Sequence, residues 1–363
     1  MNYFAEIKSL ITTEIKNFFK VKHSKRIWHL PFLAALCLGI PIFFGLYLGS
    51  LRMGLSICLG GLVILYYQPT LPLANRMLTM LVCSFGLILS LTIGIVFSFN
   101  IYVSSLVFGL FSMGIHWVTT YFRVKPPGNF FFIMIASMAS CQPFELKVIP
   151  EKIGFIVLGT MLACLLGLLY GLLMKKRNTN EVISISIKKG EDVPLIESLI
   201  IGIFMFISLI VGHFLEMKNP YWVPISCIAI MQGMSFYHVW ERAIHRIIGT
   251  FVGIGLCWPI LLFCKTPLSI CISIFVLQYI VEALIVRHYG LAVVFMTPLT
   301  ILLAEAGSSI DVNSEILISA RFIDIALGSF IGVIGGWLIY HQQLKQKLVR
   351  HYRKARFFVN KKR

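Results

Sequence analysis

From about residue 31 to residue 340 the chain is a succession of apolar runs, each close to the roughly 20 residues an α-helix needs to cross the hydrocarbon of a bilayer. The runs lie near 31–50, 53–69, 77–98, 101–121, 128–143, 153–174, 194–215, 221–236, 246–264, 267–286, 289–306 and 316–340. In hydrocarbon every backbone N–H and C=O needs an internal partner, so runs of this length fold as helices. Hydrophobic residues make up 58% of the 363 and charged residues only 13%, too little polar surface to coat a soluble globule. The expected fold class is therefore an all-α integral membrane protein with about twelve transmembrane helices.

One helix is written twice. Lys152, Gly159, Ala163, Gly167 and Gly171 are matched, at a constant offset of 169, by Arg321, Gly328, Gly332, Gly336 and Tyr340. A basic residue seven positions before a ridge of small residues spaced by four points to internal duplication. The only long polar stretch inside the apolar region, 175–193, then joins two halves of six spans each. An even number of spans per half makes the copies parallel repeats. The domains expected are an amphipathic segment 1–30, a first six-helix repeat 31–174, the linker 175–193, a second repeat 194–340 and a basic tail 341–363. Gly159, Gly167, Gly328 and Gly336 are read as structural, letting a neighbouring helix approach closely.

The net charge of +17 raises the possibility of nucleic acid, but its placement points instead to topology. With both termini cytoplasmic, 26 of the 32 Lys and Arg residues fall on the inner side, which is the positive-inside pattern and excludes nucleic acid as the favoured partner. The tail from Lys345 to Arg363 holds nine cations and no acid, a surface suited to anionic lipid headgroups. Phe4, Ile7, Ile11, Ile15 and Phe18 alternate with Lys8, Lys16 and Lys20 at helical spacing, as in a helix lying on the inner leaflet. The first 28 residues lack a cleavable signal pattern. Nine scattered Cys without a CxxC pair read as buried free thiols.

Two spans are short in both halves, 53–69 and 221–236, each closed by Gln and a helix-disrupting residue: Gln68-Pro69 and Gln232-Gly233. The fifth and eleventh runs are short or broken as well, by Pro126-Pro127-Gly128 and by Pro298. Matching interrupted segments in two halves are the sequence mark of a transport site. Arg242 and Arg246 share a helix face at the opening of the ninth span, with His245 beside them, and Arg76 holds the comparable place in the first half. Guanidinium stays charged at physiological pH and binds carboxylate at two points, so Arg76, Arg242 and Arg246 are the leading anion contacts. The competing role is that of topology-setting cations at a cytoplasmic helix end. Lys152 and Arg321 either snorkel as anchors or form the outer part of the anion path. Among acids inside spans, Asp324 stands three residues after Arg321, where an intrahelical pair is expected, and Glu282 stands near Arg287. Glu282, Asp324 and His213 are the candidates for proton coupling; structural roles compete for each.

No GxxxxGK[ST], HExxH or GxSxG pattern occurs, so no enzymatic activity, metal or cofactor is expected. The stretch Pro220-Tyr221-Trp222-Val223-Pro224, Gln232, Arg242, Arg246, Gly249-Thr250 and Gly253 resembles the signature of the fusaric-acid-resistance-like family, which includes the bacterial aromatic acid exporters. The resemblance implies an inner-membrane permease that exports aromatic or other organic carboxylates, driven by the proton gradient. Gln68, Gln232, Tyr221 and Trp222 are read as further substrate contacts, and Pro224, Gly249, Thr250 and Gly253 as structural. The layout is also similar, distantly, to the plant aluminium-activated malate transporters, whose six-span subunits pair around an anion path. Gly233 departs from the proline that commonly follows the glutamine, and the linker is shorter than the cytoplasmic domain of many such exporters. The expectation is an organic-anion efflux permease binding substrate between its two halves, with a passive anion channel and a non-transporting membrane scaffold as alternatives.

Overall fold

A computed structural model describes residues 28–174, 195–305 and 314–341. The expected N-terminal amphipathic helix, the linker and the basic tail lie almost wholly outside the described residues. Those residues form α-helices and one short 3-10 segment: α1 (His29–Tyr47), α2 (Leu51–Gly61, continued as a 3-10 turn over Leu62–Tyr66), α3 (Leu73–Val96), α4 (Ile101–Tyr121), α5 (Phe130–Ser140), α6 (Ile149–Leu173), α7 (Leu195–Phe214), α8 (Trp222–Met231), α9 (Phe236–Phe263), α10 (Pro267–Leu284), α11 (Tyr289–Glu305) and α12 (Ser314–Tyr340). Eight of them, α1, α3, α4, α6, α7, α9, α10 and the Arg321–Tyr340 part of α12, are long and apolar enough to cross a membrane. The protein is therefore an all-α, multi-pass membrane protein. The shorter apolar helices are α2 with its 3-10 turn, α5, α8 and α11.

Local chemistry sets several helix ends. Asn100 Oδ1 accepts from the N–H groups of Tyr102 (2.9 Å) and Val103 (3.2 Å) and so caps α4. Thr266 and Ser269 form a reciprocal capping box at α10, with Pro267 at the first helical position, where its missing N–H costs nothing. The ninth helix starts earlier than the hydropathy suggested. The polar turns from Phe236 belong to α9, so Arg242 and Arg246 sit within its second and third turns and do not open it.

Proline does not break the apolar helices. Pro41 and Pro298 lie inside α1 and α11, and the expected interruption at Pro298 is absent. Each proline removes the donor for the carbonyl four residues earlier, Cys37 O and Val294 O, and each of those carbonyls faces a glycine on another helix. A β-carbon at Gly61 would stand 2.5 Å from Cys37 O, and one at Gly253 would stand 2.6 Å from Val294 O. Close backbone approach at glycine shields the freed carbonyls from lipid.

The chain divides into two compact units, each assembled from both ends of the sequence. The first unit takes the chain up to Leu65, Phe155–Leu173 and Ile244–Ser314, which is α1, α2, most of α6, the larger part of α9, α10 and α11. Within it α1 meets α10 at Gly39 and Phe275, α2 meets α6 at Gly60 and Gly159, and α9 meets α11 at Gly249, Gly253, Val293 and Thr297. The second unit takes Tyr66–Gly154, the chain through Ala243, and Glu315 onward, which is α3, α4, α5, α7, α8 and α12 with the start of α9. Within it α4 meets α7 at Gly109 and Gly202, α8 meets α12 at Val223, Ser226 and Gly328, and α3 meets α5 at Gly86, Gly94, Phe132 and Ala136. Its core is a continuous apolar cluster that includes Phe108, Ile133, Met205, Leu209, Ile228 and Ile331.

Candidate functional site

Two buried arginines mark the polar chemistry of these apolar bundles, one in each unit. In the second unit α12 lies against α8 because position 328 has no side chain: a β-carbon there would collide with Val223 O and stand 2.7 Å from Ser226 Cβ. Two turns before Gly328, Arg321 is 7% exposed and places its guanidinium carbon 3.0 Å from the centroid of the Trp222 ring. Trp222 opens α8, and Pro224 follows in the first helical turn, where a missing N–H is tolerated. Asp324, one turn after Arg321, is 1% exposed, and among the described residues neither carboxylate oxygen has a hydrogen-bond partner. The Asp324 carboxylate lies in electrostatic range of Arg321, as the expected intrahelical pair requires, while the guanidinium stands over the Trp222 indole. Tyr221 lies within electrostatic reach of both. Its carbonyl accepts from Ser137 Oγ at 3.0 Å, tying α8 to α5.

The residues just after α5 gather two more of the expected groups. Lys152 Nζ donates to Gln142 Oε1 at 2.7 Å, and His213 Nε2 stands 3.8 Å from Cys141 Sγ. His213 is therefore in contact with a thiol.

The other end of α8 carries a separate polar group, about 15 Å away along a helix of 10 residues. Gln232 Nε2 donates to Asn129 Oδ1 (3.0 Å) and Pro127 O (3.2 Å), and Tyr66 Oη donates to Gly128 O (2.7 Å). The 126–129 turn is thereby clamped from two sides. Asn129 also meets His116 Nδ1 at 3.0 Å. Arg242 Nε donates to Ala229 O at 2.8 Å, satisfying one of the carbonyls that a helix C-terminus leaves unpaired. Arg76 donates through Nε to Leu71 O and through Nη1 to Tyr67 Oη at 2.9 Å. Gln68 is half-buried, and its carbonyl accepts from Leu71 N in the turn leading to α3.

In the first unit Gly249 and Gly253 let α11 press against α9, and the start of α11 then reaches Arg246. Arg246 is 5% exposed, and its Nη1 donates to Tyr289 Oη at 3.2 Å. Beside it the rings of His245 and His288 stand 5.3 Å apart, both buried. Thr250 is fully enclosed one turn further along α9, and Glu282, with Gln278 a turn before it, is buried on α10. Arg242 and Arg246, one turn apart on one helix, consequently serve different surroundings. Gly159 and Gly167 are buried on α6, and Gly336 packs on Val239.

Sequence reasoning missed His288, Tyr289, Asn129 and Gln142. Asn129 and His288 each stand directly before a short apolar helix, a position where capping residues occur, and that was the available signal. Among the described residues no group of three or more His, Cys, Asp and Glu could hold a metal ion. The nine cysteines are free thiols.

Residues 204–335, from α7 through most of α12, match the family described as fusaric acid resistance protein-like. That segment holds Trp222, Gln232, Arg242, Arg246, Glu282, Arg321 and Asp324. The chain is also similar to an uncharacterised membrane protein of Bacillus subtilis (strain 168), YvaC, at 33% identity over 154 residues, or 42% of this chain and 24% of that protein. The match thus spans about a quarter of the relative's length. No solved structure matches the chain. Residues 204–335 of this multi-pass helical membrane protein are thus similar to the fusaric acid resistance protein-like family.

Proposed function

We propose that the protein is a secondary transporter that exports small organic anions, aromatic carboxylic acids foremost, from the cytoplasm across the inner membrane, using the proton gradient. The observation that carries this reading is the burial of two permanently charged side chains, Arg246 and Arg321, in apolar helices of the family-matched segment. An ionisable residue at membrane depth is costly, and nature retains it for a substrate or ion pathway. Each of the two is in contact with an aromatic side chain, Tyr289 or Trp222. A buried guanidinium flanked by aromatic surface suits an aromatic carboxylate in both its charge and its apolar body. Arg76, Arg242, Gln68, Gln232, Tyr221 and Lys152 are proposed as further substrate contacts, and Glu282, Asp324 and His213 as carriers of the coupling proton.

The proposed architecture is twelve spans in two parallel six-helix repeats, with both termini cytoplasmic and the basic tail on anionic lipid. The pairing of α1 with α10, α2 with α6 and α9 with α11 in one unit has counterparts in α7 with α4, α8 with α12 and α3 with α5 in the other. Adding six to each helix number, in cyclic order, converts one set into the other, as duplication requires. The test is efflux of radiolabelled benzoate from loaded proteoliposomes carrying the full chain. Arg246→Gln and Arg321→Gln, at equal incorporation, are expected to abolish it; undiminished efflux from both variants removes the arginines from the path and with them this reading.

A further inference from the structure

The turn that leaves α4 holds two cations to which the transport reading gives no role. Arg123 N donates to Thr120 O at 3.1 Å and Val124 N to Thr119 O at 2.9 Å, the paired closure in which the residue after the helix cap turns left-handed. That residue is Arg123, at φ 48°. Glycine fills such a position without strain, whereas the β-carbon of an arginine is crowded there by carbonyl oxygen. The helix dipole would accept a cation anywhere in the last turn, so it does not account for an arginine at the strained position. A side chain kept at a disfavoured backbone angle points to a use for that side chain.

Arg123 and Lys125 are both exposed, and among the described residues neither side chain has a hydrogen bond or an ion pair. The sequence has no carboxylate between Glu14 and Glu145, and on the neighbouring α7 Glu197 lies in electrostatic range of His116 and Tyr340. The turn is held in shape. Lys125 O accepts from Gly128 N at 3.0 Å, Tyr66 Oη donates to Gly128 O at 2.7 Å, and Gln232 Nε2 donates to Pro127 O at 3.2 Å. On the helix just before it, the Trp117 and Tyr121 rings stack with centroids 5.6 Å apart and planes 7° apart, and Phe122 meets Tyr121 edge-on at 5.0 Å. Trp117 and Phe122 are exposed. Because α4 is long and apolar enough to cross a membrane, these rings mark the level at which hydrocarbon gives way to headgroups.

We infer that the α4–α5 turn is a headgroup site for an anionic phospholipid, with Arg123 and Lys125 receiving the phosphate and Trp117, Tyr121 and Phe122 bordering the glycerol and upper acyl chains. Guanidinium offers phosphate two parallel hydrogen bonds, and the ammonium adds a point charge. Phosphatidylcholine carries the same phosphate beneath a quaternary ammonium, which two cations repel. The rings accept either lipid, so the preference for net negative charge resides in Arg123 and Lys125. In the proposed orientation the turn meets the cytoplasmic leaflet, where anionic lipids give the surface its negative potential.

The test does not depend on whether benzoate moves. It uses the full chain in phosphatidylcholine vesicles carrying a trace of phosphatidylglycerol, or of phosphatidylcholine, made photoactivatable near the glycerol, with labelled peptides mapped by mass spectrometry. Labelling of residues 117–125 is expected to favour the phosphatidylglycerol probe by about fivefold for each cation. R123G and K125Q should each reduce that preference about fivefold, while labelling of peptides from the basic tail, 345–363, stays as it was. R123G removes the strain together with the charge, so its thermal unfolding midpoint in detergent is expected to equal or exceed that of the unsubstituted chain. Equal labelling by the two probes in the unsubstituted chain overturns the site, as does an undiminished preference in R123G and K125Q. A lower midpoint in R123G would show that Arg123 serves the fold, and it overturns the argument from strain. Displacement of the probe by inorganic phosphate at constant ionic strength would assign the turn to a soluble anion and overturn the lipid.

Discussion

The contact between Arg321 and Trp222 gives the sharpest quantitative test. A guanidinium over an aromatic face is attracted by the ring quadrupole, by about 0.5–1 kcal/mol at exposed sites and about 2 kcal/mol or more when water is excluded. Here the guanidinium carbon is 3.0 Å from the ring centroid, and both residues are 7% exposed, so the desolvated figure applies. The perturbation is the double-mutant cycle Trp222→Leu, Arg321→Met and the two together. The assay is denaturant unfolding of the full chain in detergent micelles, read by circular dichroism. The expected coupling energy is about 2 kcal/mol, equivalent to about thirtyfold in an equilibrium constant. Each single substitution is expected to cost more than the double mutant's share, because each leaves a buried partner behind. Single effects that add to within about 0.5 kcal/mol would refute the interaction, since that is how independent sites behave.

Four further outcomes follow from the geometry. Tyr289→Phe removes the acceptor of Arg246 Nη1; at about 1.5–3 kcal/mol for a charge-assisted hydrogen bond, benzoate efflux should fall about ten- to hundredfold, and an unaltered rate would show that Tyr289 does not place the arginine. Gly328→Leu drives a side chain into Val223 O and Ser226 Cβ and should cost at least the 1–3 kcal/mol typical of overpacking, whereas Gly154→Leu, in open space, should be neutral; equal effects would contradict the α8–α12 contact. Asn100→Ala deletes the cap of α4 and should lower the unfolding midpoint by about 1 kcal/mol of stability, with no loss if the two N–H bonds are not made. Gln232→Leu releases the 126–129 turn from α8, and faster proteolysis at that turn in the variant is the expected sign; identical cleavage rates would show the turn is held by Tyr66 alone.

The apolar runs made the helical fold legible. The four shortest helices, α2, α5, α8 and α11, coincide with the runs that stood out as short or interrupted. Boundaries were less legible. Hydropathy placed the start of the ninth span at 246 because Glu241, Arg242, His245 and Arg246 are polar, yet these residues continue the helix from Phe236. A polar residue ends an apolar run without ending a helix, since it can bond to a neighbouring helix end as Arg242 does to Ala229. Pro298 misled in the same way: an interrupted hydrogen-bond ladder is tolerated where a glycine of another helix covers the freed carbonyl.

At the candidate site the sequence singled out the charged residues but not their partners. Arg321 and Asp324 were expected to pair because i,i+3 spacing puts them on one face, but the indole under the guanidinium lies 99 residues away in the chain, at Trp222. His288 went unremarked because a lone histidine before an apolar run carries no charge pattern.

Membrane residence, helix content, the small-residue ridges and the identity of the buried charges were set by the sequence alone, because each depends on residue type and spacing within one segment. The tertiary structure alone decided which helices associate: α1 with α10 and α4 with α7, across the two ends of the chain, in units that neither end could build by itself. Lipid supplies no hydrophobic force between helices, so partners are chosen by how closely their backbones fit, and a glycine ridge declares that a helix can be approached without declaring by which neighbour.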